Sequence, residues 1–264
     1  MKTHSRFLAL TAVCLGLAVA SHGATPEVAA TRVRPIVQHT ALTNALKTVV
    51  AQDNAGFHLN MWVTVVDRDG VVQAVAFSGN DRGDQWPGSR VISAQKANTA
   101  NAFSLPGLAL STANLYTAVQ PGGSLYGLQH SNPVNTEVAY AGSPSAYGTS
   151  RDPMVGGKIG GVNVFGGGLA LYNAQGKLVG ALGVSGDTSA TDHIVAWRLR
   201  HALQLDYVPA GVSSTQDDNI VHDITTDANG HEKSASGWGH PAIDQHERDI
   251  AAALPTTDPI RHRP

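Results

Sequence analysis

Residues 168–192, GLALYNAQGKLVGALGVSGDTSATD, constrain the fold of this 264-residue chain more than any other stretch. Leu169, Leu171, Leu178, Val179, Leu182 and Val184 are apolar strand residues, and Asn173-Ala-Gln-Gly176 between them is a turn signal. Gly183 and Gly186 leave the backbone bare around Val184 and Ser185, so a ligand or another backbone can come close. A helix is expected to open at 187–189, where short oxygen-bearing side chains cap free N–H groups. Such donors form a ready site for a carboxylate or similar anion. Ser185 is not in a nucleophile elbow, because Asp187 stands where G-x-S-x-G needs its second glycine.

Upstream, Leu42, Leu46, Val49 and Val50 fall on one face of an amphipathic helix over 36–55. Two β-branched-rich strands are expected at 59–67 and 71–78, around the turn Asp67-Arg-Asp-Gly70. Ser89 is expected to cap a helix reaching Phe103, and a shorter helix should span 111–120. Residues 121–161 are rich in Gly, Pro, Ser and Asn and read as a long loop or lid. After the hairpin comes a helix at 189–203. Residues 208–264 read as an appended polar extension rich in Asp and His, with one short helix near 243–253 and an otherwise solvated, flexible character. This order of helices and hairpins describes an α+β domain, an antiparallel sheet with helices packed on it.

The ends and the composition narrow the function classes. Lys2 and Arg6 precede an apolar run over 7–20 that ends in an A-x-A pattern, so residues 1–24 read as a secretory signal cleaved after Ala20 or Ala24. The expected location is periplasmic or secreted, with no membrane span in the mature chain. The only cysteine, Cys14, lies within this segment, so the mature chain has no thiol nucleophile, disulfide or thiolate metal site. Losing Lys2 and Arg6 takes the formal charge from -2 to about -4, and without a basic stripe nucleic acid is not an expected partner.

Three stretches also resemble one known family in that family's own order. The first is Met61-Trp-Val-Thr-Val-Val-Asp-Arg-Asp-Gly70, the second Ser93-Ala-Gln-Lys-Ala-Asn-Thr-Ala100. The third is the glycine-marked hairpin, with Gly167-Gly168, Gly180-Ala181, Gly183-Val184-Ser185-Gly186 and Asp192; Leu169 replaces the usual proline. Together they resemble the GlcG/HbpS-like haem-binding family, which includes the C-terminal domain of PduO-type proteins. The resemblance covers about 42–205 and places the domain at 25–207. It implies a profilin-like, five-stranded antiparallel sheet in three α/β/α layers, a homo-oligomer, and haem or another planar anionic molecule as ligand and cofactor.

Haem needs an axial ligand, a flat apolar slot and cationic or N–H partners for its propionates. His130 on the long loop and His193 in the first turn of the last helix are the histidines best placed to ligate. Lys96 supplies a positive charge for a carboxylate, Gly183, Ser185 and Gly186 the bare turn, and Asp192 an orienting carboxylate. Arg90, with Arg82 and Trp86 nearby, suits a planar acidic ligand. His222, His231, His240 and His246 with Asp217, Asp218 and Asp223 match no compact zinc or calcium spacing. Two other readings remain: an enzyme using Lys96, His130 and Asp192 as acid–base groups on a small carboxylated or aromatic substrate, or an interaction module whose glycine turn packs subunits.

Overall fold

The β-branched run at 62–67 is buried along nearly its whole length, which a strand achieves when helices cover both of its faces. The computed structural model describes residues 35–261; the expected signal segment lies outside them. Helix α1 (His39–Val50) leads into strands β1 (Trp62–Asp67) and β2 (Val72–Phe77), followed by α2 (Ser89–Phe103). The 121–161 loop carries one short helix, α3 (Thr136–Ala139). Then come β3 (Gly168–Tyr172), β4 (Leu178–Ser185) and α4 (Ser189–Ala202). The 111–120 stretch forms two 3-10 turns, Ala113–Leu115 and Thr117–Val119, instead of one helix.

The four strands form an antiparallel sheet in the order β2-β1-β4-β3. Alternation sorts its side chains cleanly. Val63, Val65, Leu169, Leu171, Leu182 and Val184 meet Leu42, Leu46 and Val49 of α1 and Val195, Trp197 and Leu199 of α4. The opposite face carries Trp62, Val66 and Val75, and where α2 crosses β1 and β4 it narrows to small groups, Thr64, Ala181 and Gly183 beside Ala94, Ala97 and Ala100. The Thr64 and Ser93 hydroxyls share a 2.8 Å hydrogen bond across this interface.

The sheet has four strands where five were expected. Beside β3, the place of a fifth strand is held by two irregular segments. Thr112 donates its amide to the Gly168 carbonyl, and the Tyr172 amide donates to Leu205 at 2.8 Å, with a single parallel bridge from Tyr172 to Asp206. These isolated bonds protect the edge without a continuous ladder. Nor does Ser89 cap α2: Gly88 holds the cap position without a side-chain bond. Among the described residues, no helix is long and apolar enough to cross a membrane.

The 208–261 segment is not a solvated tail. It adds a hairpin, β5 (Ile224–Thr226) with β6 (Glu232–Ser234), and helix α5 (Gln245–Ala252), the last close to where the sequence places a helix. Arg200 of α4 makes a two-pronged ion pair with Asp218, both bonds 2.8 Å and both side chains fully buried. Buried Glu247 accepts hydrogen bonds from Thr188 and Thr191 at the start of α4, and Trp197 donates to the Pro255 carbonyl at 2.9 Å. Charges that make the segment look hydrophilic in sequence are thus paired with charges and donors on α4, which lets a polar stretch pack.

Candidate functional site

The glycine-marked turn, α2 and the start of α4 converge on one buried ion pair. Lys96 Nζ lies 2.7 Å from Asp192 Oδ2 and donates to the Val184 carbonyl at 3.2 Å. Asp192 Oδ1 accepts the amides of Gly186 and Asp187, each at 3.0 Å. The anion cradle expected at this helix mouth therefore exists, but the protein's own Asp192 carboxylate occupies it. Burial pushes the Asp192 carboxyl up to about 6, with Lys96 and the amides pulling the other way. Ser185 ends β4 opposite Trp62 and is buried.

The bare glycines serve a second backbone, not an open slot. A Cβ on Gly183 would overlap the Ser93 carbonyl and the Ala97 amide of α2, and one on Gly168 would overlap the Lys96 carbonyl and Thr112. Gly167 has φ +116°, a conformation reserved for glycine, and passes beneath the Lys96–Asp192 pair. These glycines let α2 lie directly on β3 and β4 and carry Lys96 down to Asp192.

The two ranked histidines lie apart from this pair. His130 is exposed on the 121–161 loop. His193 is fully buried beneath the C-terminal segment: its Nε2 is 3.1 Å from the Ile220 amide and 3.3 Å from Asn219 Oδ1, while Nδ1 has no partner among the described residues. Lys96, His130 and Asp192 are therefore not a catalytic cluster. Burial drives the His193 pKa well below its ordinary value, and drives His240, whose Nε2 accepts the Gly166 amide at 3.3 Å, down to about 3.

This arrangement predicts acid lability. An unfolded histidine takes up a proton below about pH 6.5 while these buried rings stay neutral, so their contribution is complete above that pH and is lost as pH falls toward 3. At pH 5 His240 alone should cost about 2 kcal/mol. Denaturant midpoints measured at pH 7 and pH 5 check this, and His240→Gln should flatten the difference.

Arg90 lines a cavity of about 470 Å³ with Trp62, Arg82, Pro87, Val91, Tyr140 and Tyr147. Its own charge is committed. Nε donates to Asp152 Oδ2 at 2.9 Å, Nη2 to Asp152 Oδ1 at 2.5 Å and Nη1 to the Ala139 carbonyl at 2.7 Å. The guanidinium also stacks 3.6 Å from the Tyr147 ring centroid, so Arg90 builds a wall more than it offers a charge. Asp152 and the Gly148 amide it accepts fasten the long loop to α2, which makes 140–157 a fixed wall and not a free lid. Sequence reasoning missed Trp62, Tyr140, Tyr147 and Asp152. Tyr140 and Tyr147, two of the three tyrosines in an otherwise Gly- and Ser-rich loop, were the available signal.

Two other features of this cavity bear on ligands. Among the described residues, Trp62 Nε1 is buried without a hydrogen-bond partner. Arg82, about half exposed, has the Asp81 carboxylate 3.8 Å away as its one ion pair among the described residues, so its guanidinium is available at the rim. A larger cavity of about 630 Å³, beside His222 and Arg248, is formed wholly by residues beyond 211.

Residues 38–199 match the family model described as haem degrading protein HbpS-like. No curated protein matches the sequence. Among solved structures, a PduOC:heme complex is 25% identical, over 62% of this chain and 89% of that one, with a TM-score of 0.43. Klebsiella pneumoniae protein ORFY is 24% identical over 63% and 90%, with a TM-score of 0.42. A double mutant of Streptomyces reticuli HbpS is 17% identical over 71% and 99%, with a TM-score of 0.41.

Proposed function

The chain belongs to the HbpS-like haem-degrading protein family, and from that premise we propose that it binds haem or a closely related planar tetrapyrrole. The observation that carries this reading is the extent of the match: 38–199 contains α1, all four strands of the main sheet, α2 and most of α4. The larger cavity beside Arg248 falls outside it, whereas every residue lining the Trp62 cavity falls inside.

The residues there suit the group. A volume of about 470 Å³ is within the range of small-molecule sites, and an exposed macrocycle edge is compatible with an open rim. Trp62, Val91, Pro87 and Tyr147 offer flat apolar walls. The Arg82 guanidinium at the rim is a donor suited to a propionate, and Tyr140 and Tyr147 are phenols, a side-chain type that ligates haem iron. Bound haem would supply the iron chemistry; the protein supports orientation and shielding. Binding is favoured over general acid–base catalysis by Lys96 and Asp192, because these two neutralise each other out of reach of water. Export from the cytoplasm, homo-oligomer formation, and a role in haem uptake, storage, sensing or breakdown extend the same proposal.

Titrating hemin into the apo protein should give a saturable, one-site shift of the Soret band. Val91→Trp, which fills the cavity from a position that is 8% exposed, should weaken binding at least tenfold while leaving the far-UV spectrum unchanged. A hemin spectrum that never departs from that of free hemin would refute haem binding. Unchanged affinity in Val91→Trp would move the site elsewhere. Native mass spectrometry of protein recovered from its own compartment reports ligand and subunit number together.

A further inference from the structure

At the opposite end of α4 from the Lys96–Asp192 pair, three segments bring one imidazole and two carboxylates together. His201 is in the last turn of α4, Asp206 follows in the segment beside β3, and Asp258 comes from the C-terminal strand of chain after α5. One ligand atom from each lies within 4.8 Å of the other two. His201 Nδ1 and Asp206 Oδ2 are already 2.6 Å apart.

The electrostatics of Asp206 are incomplete as they stand. Its side chain is 2% exposed, and among the described residues its buried Oδ1 has no hydrogen-bond partner. Arg200, a cation close enough to act on Asp206, already has both prongs on Asp218. A buried carboxylate with one oxygen lacking a donor, on a side chain close to a second carboxylate, is a costly arrangement that a bound cation relieves. Ligand atoms about 2.0–2.2 Å from one tetrahedral ion sit roughly 3.3 Å apart, so closing this set needs only small side-chain rotations.

We propose that His201, Asp206 and Asp258 form a site for a divalent transition-metal cation of the zinc or manganese type. One imidazole with two carboxylates suits such ions better than magnesium, which prefers oxygen ligands and retained waters. His201 is 43% exposed on its side chain, so an ion can enter from solvent. Asp258 belongs to the same short segment in which the Arg261 amide donates to the Ala174 carbonyl and Ile260 packs on Gly176. Metal there would pin that segment to α4 and to the β3–β4 turn. The site shares no residue with the haem cavity and stands independently of it.

The test uses the full-length chain stripped with chelator, with no haem present. Zn²⁺, Mn²⁺ and Mg²⁺ are titrated separately by calorimetry and by thermal shift. One Zn²⁺ or Mn²⁺ per chain with a raised melting temperature is expected, and Asp258→Asn should weaken that binding at least tenfold. His201→Gln should do the same, while His231→Gln, at an exposed histidine elsewhere, should not. Both site variants alter side chains that are not fully buried, and circular dichroism confirms their folding. Failure of Zn²⁺ and Mn²⁺ to bind, or wild-type affinity in Asp258→Asn, overturns the proposal.

Discussion

Lys96→Met is expected to lower stability by about 3–5 kcal/mol, because it strands the Asp192 carboxylate in a buried site. The loss should depend on pH. With Lys96 gone, Asp192 titrates above its already raised value near 6, well above an unfolded aspartate. A carboxyl raised in the folded state contributes stability that declines as pH rises through that window, so the variant should be closest to wild type near pH 5 and weakest near pH 8. Adding Asp192→Asn should recover most of the loss, since the amide oxygen can still accept from Gly186 and Asp187 and no charge remains buried. Urea unfolding of the single and double variants at both pH values tests this. A Lys96→Met protein within 1 kcal/mol of wild type at pH 8 would mean that the pair is not the structural tie described above.

Gly183→Ala should be similarly damaging, by about 3 kcal/mol or more, although it adds one methyl group. The obstruction is backbone: the new Cβ would meet the Ser93 carbonyl and the Ala97 amide, which no rotamer change can move. Helix α2 would have to lift from β4, loosening the Thr64–Ser93 bond and the Lys96–Asp192 pair together. Gly88→Ala is the control. Gly88 has a helical conformation with open space around its would-be Cβ, so it should be neutral. Thermal melts of the two proteins compare them directly. Equal melting temperatures would show that the α2–β4 contact tolerates a larger spacing.

The contrast between these two glycines marks how far the sequence can be read. The turn at Asn173 and Gly176 was legible because its bonds are local: Asn173 Oδ1 accepts the amides of Gln175 and Lys177. The α1 stripe of Leu42, Leu46 and Val49 was legible for the same reason, as helical spacing alone selects its buried face. That Gly183 must be bare was also evident. What approaches it was not, because Ser93 and Ala97 belong to a helix that sequence spacing cannot dock.

The candidate site was less legible than the fold. Lys96 and Asp192 were each singled out, but their partner was taken to be a ligand when it is one another. Arg90 was singled out for its charge, and the structure spends that charge on Asp152. The 208–261 segment misled by composition, since Asp218 reads as solvent-seeking until Arg200 is seen beside it.

Alone, the chain's order of residues determined the long helices α1, α2 and α4, the two hairpins of the main sheet, the family and the need for bare backbone at the β4 turn, all set by neighbours a few positions away or by ordered motifs. Only the folded arrangement decided which charges neutralise each other, since Lys96 meets Asp192 across 96 positions and Arg90 meets Asp152 across 62. The free energy of a buried charge depends on what surrounds it in space, and that surrounding exists only once helices and sheet have packed.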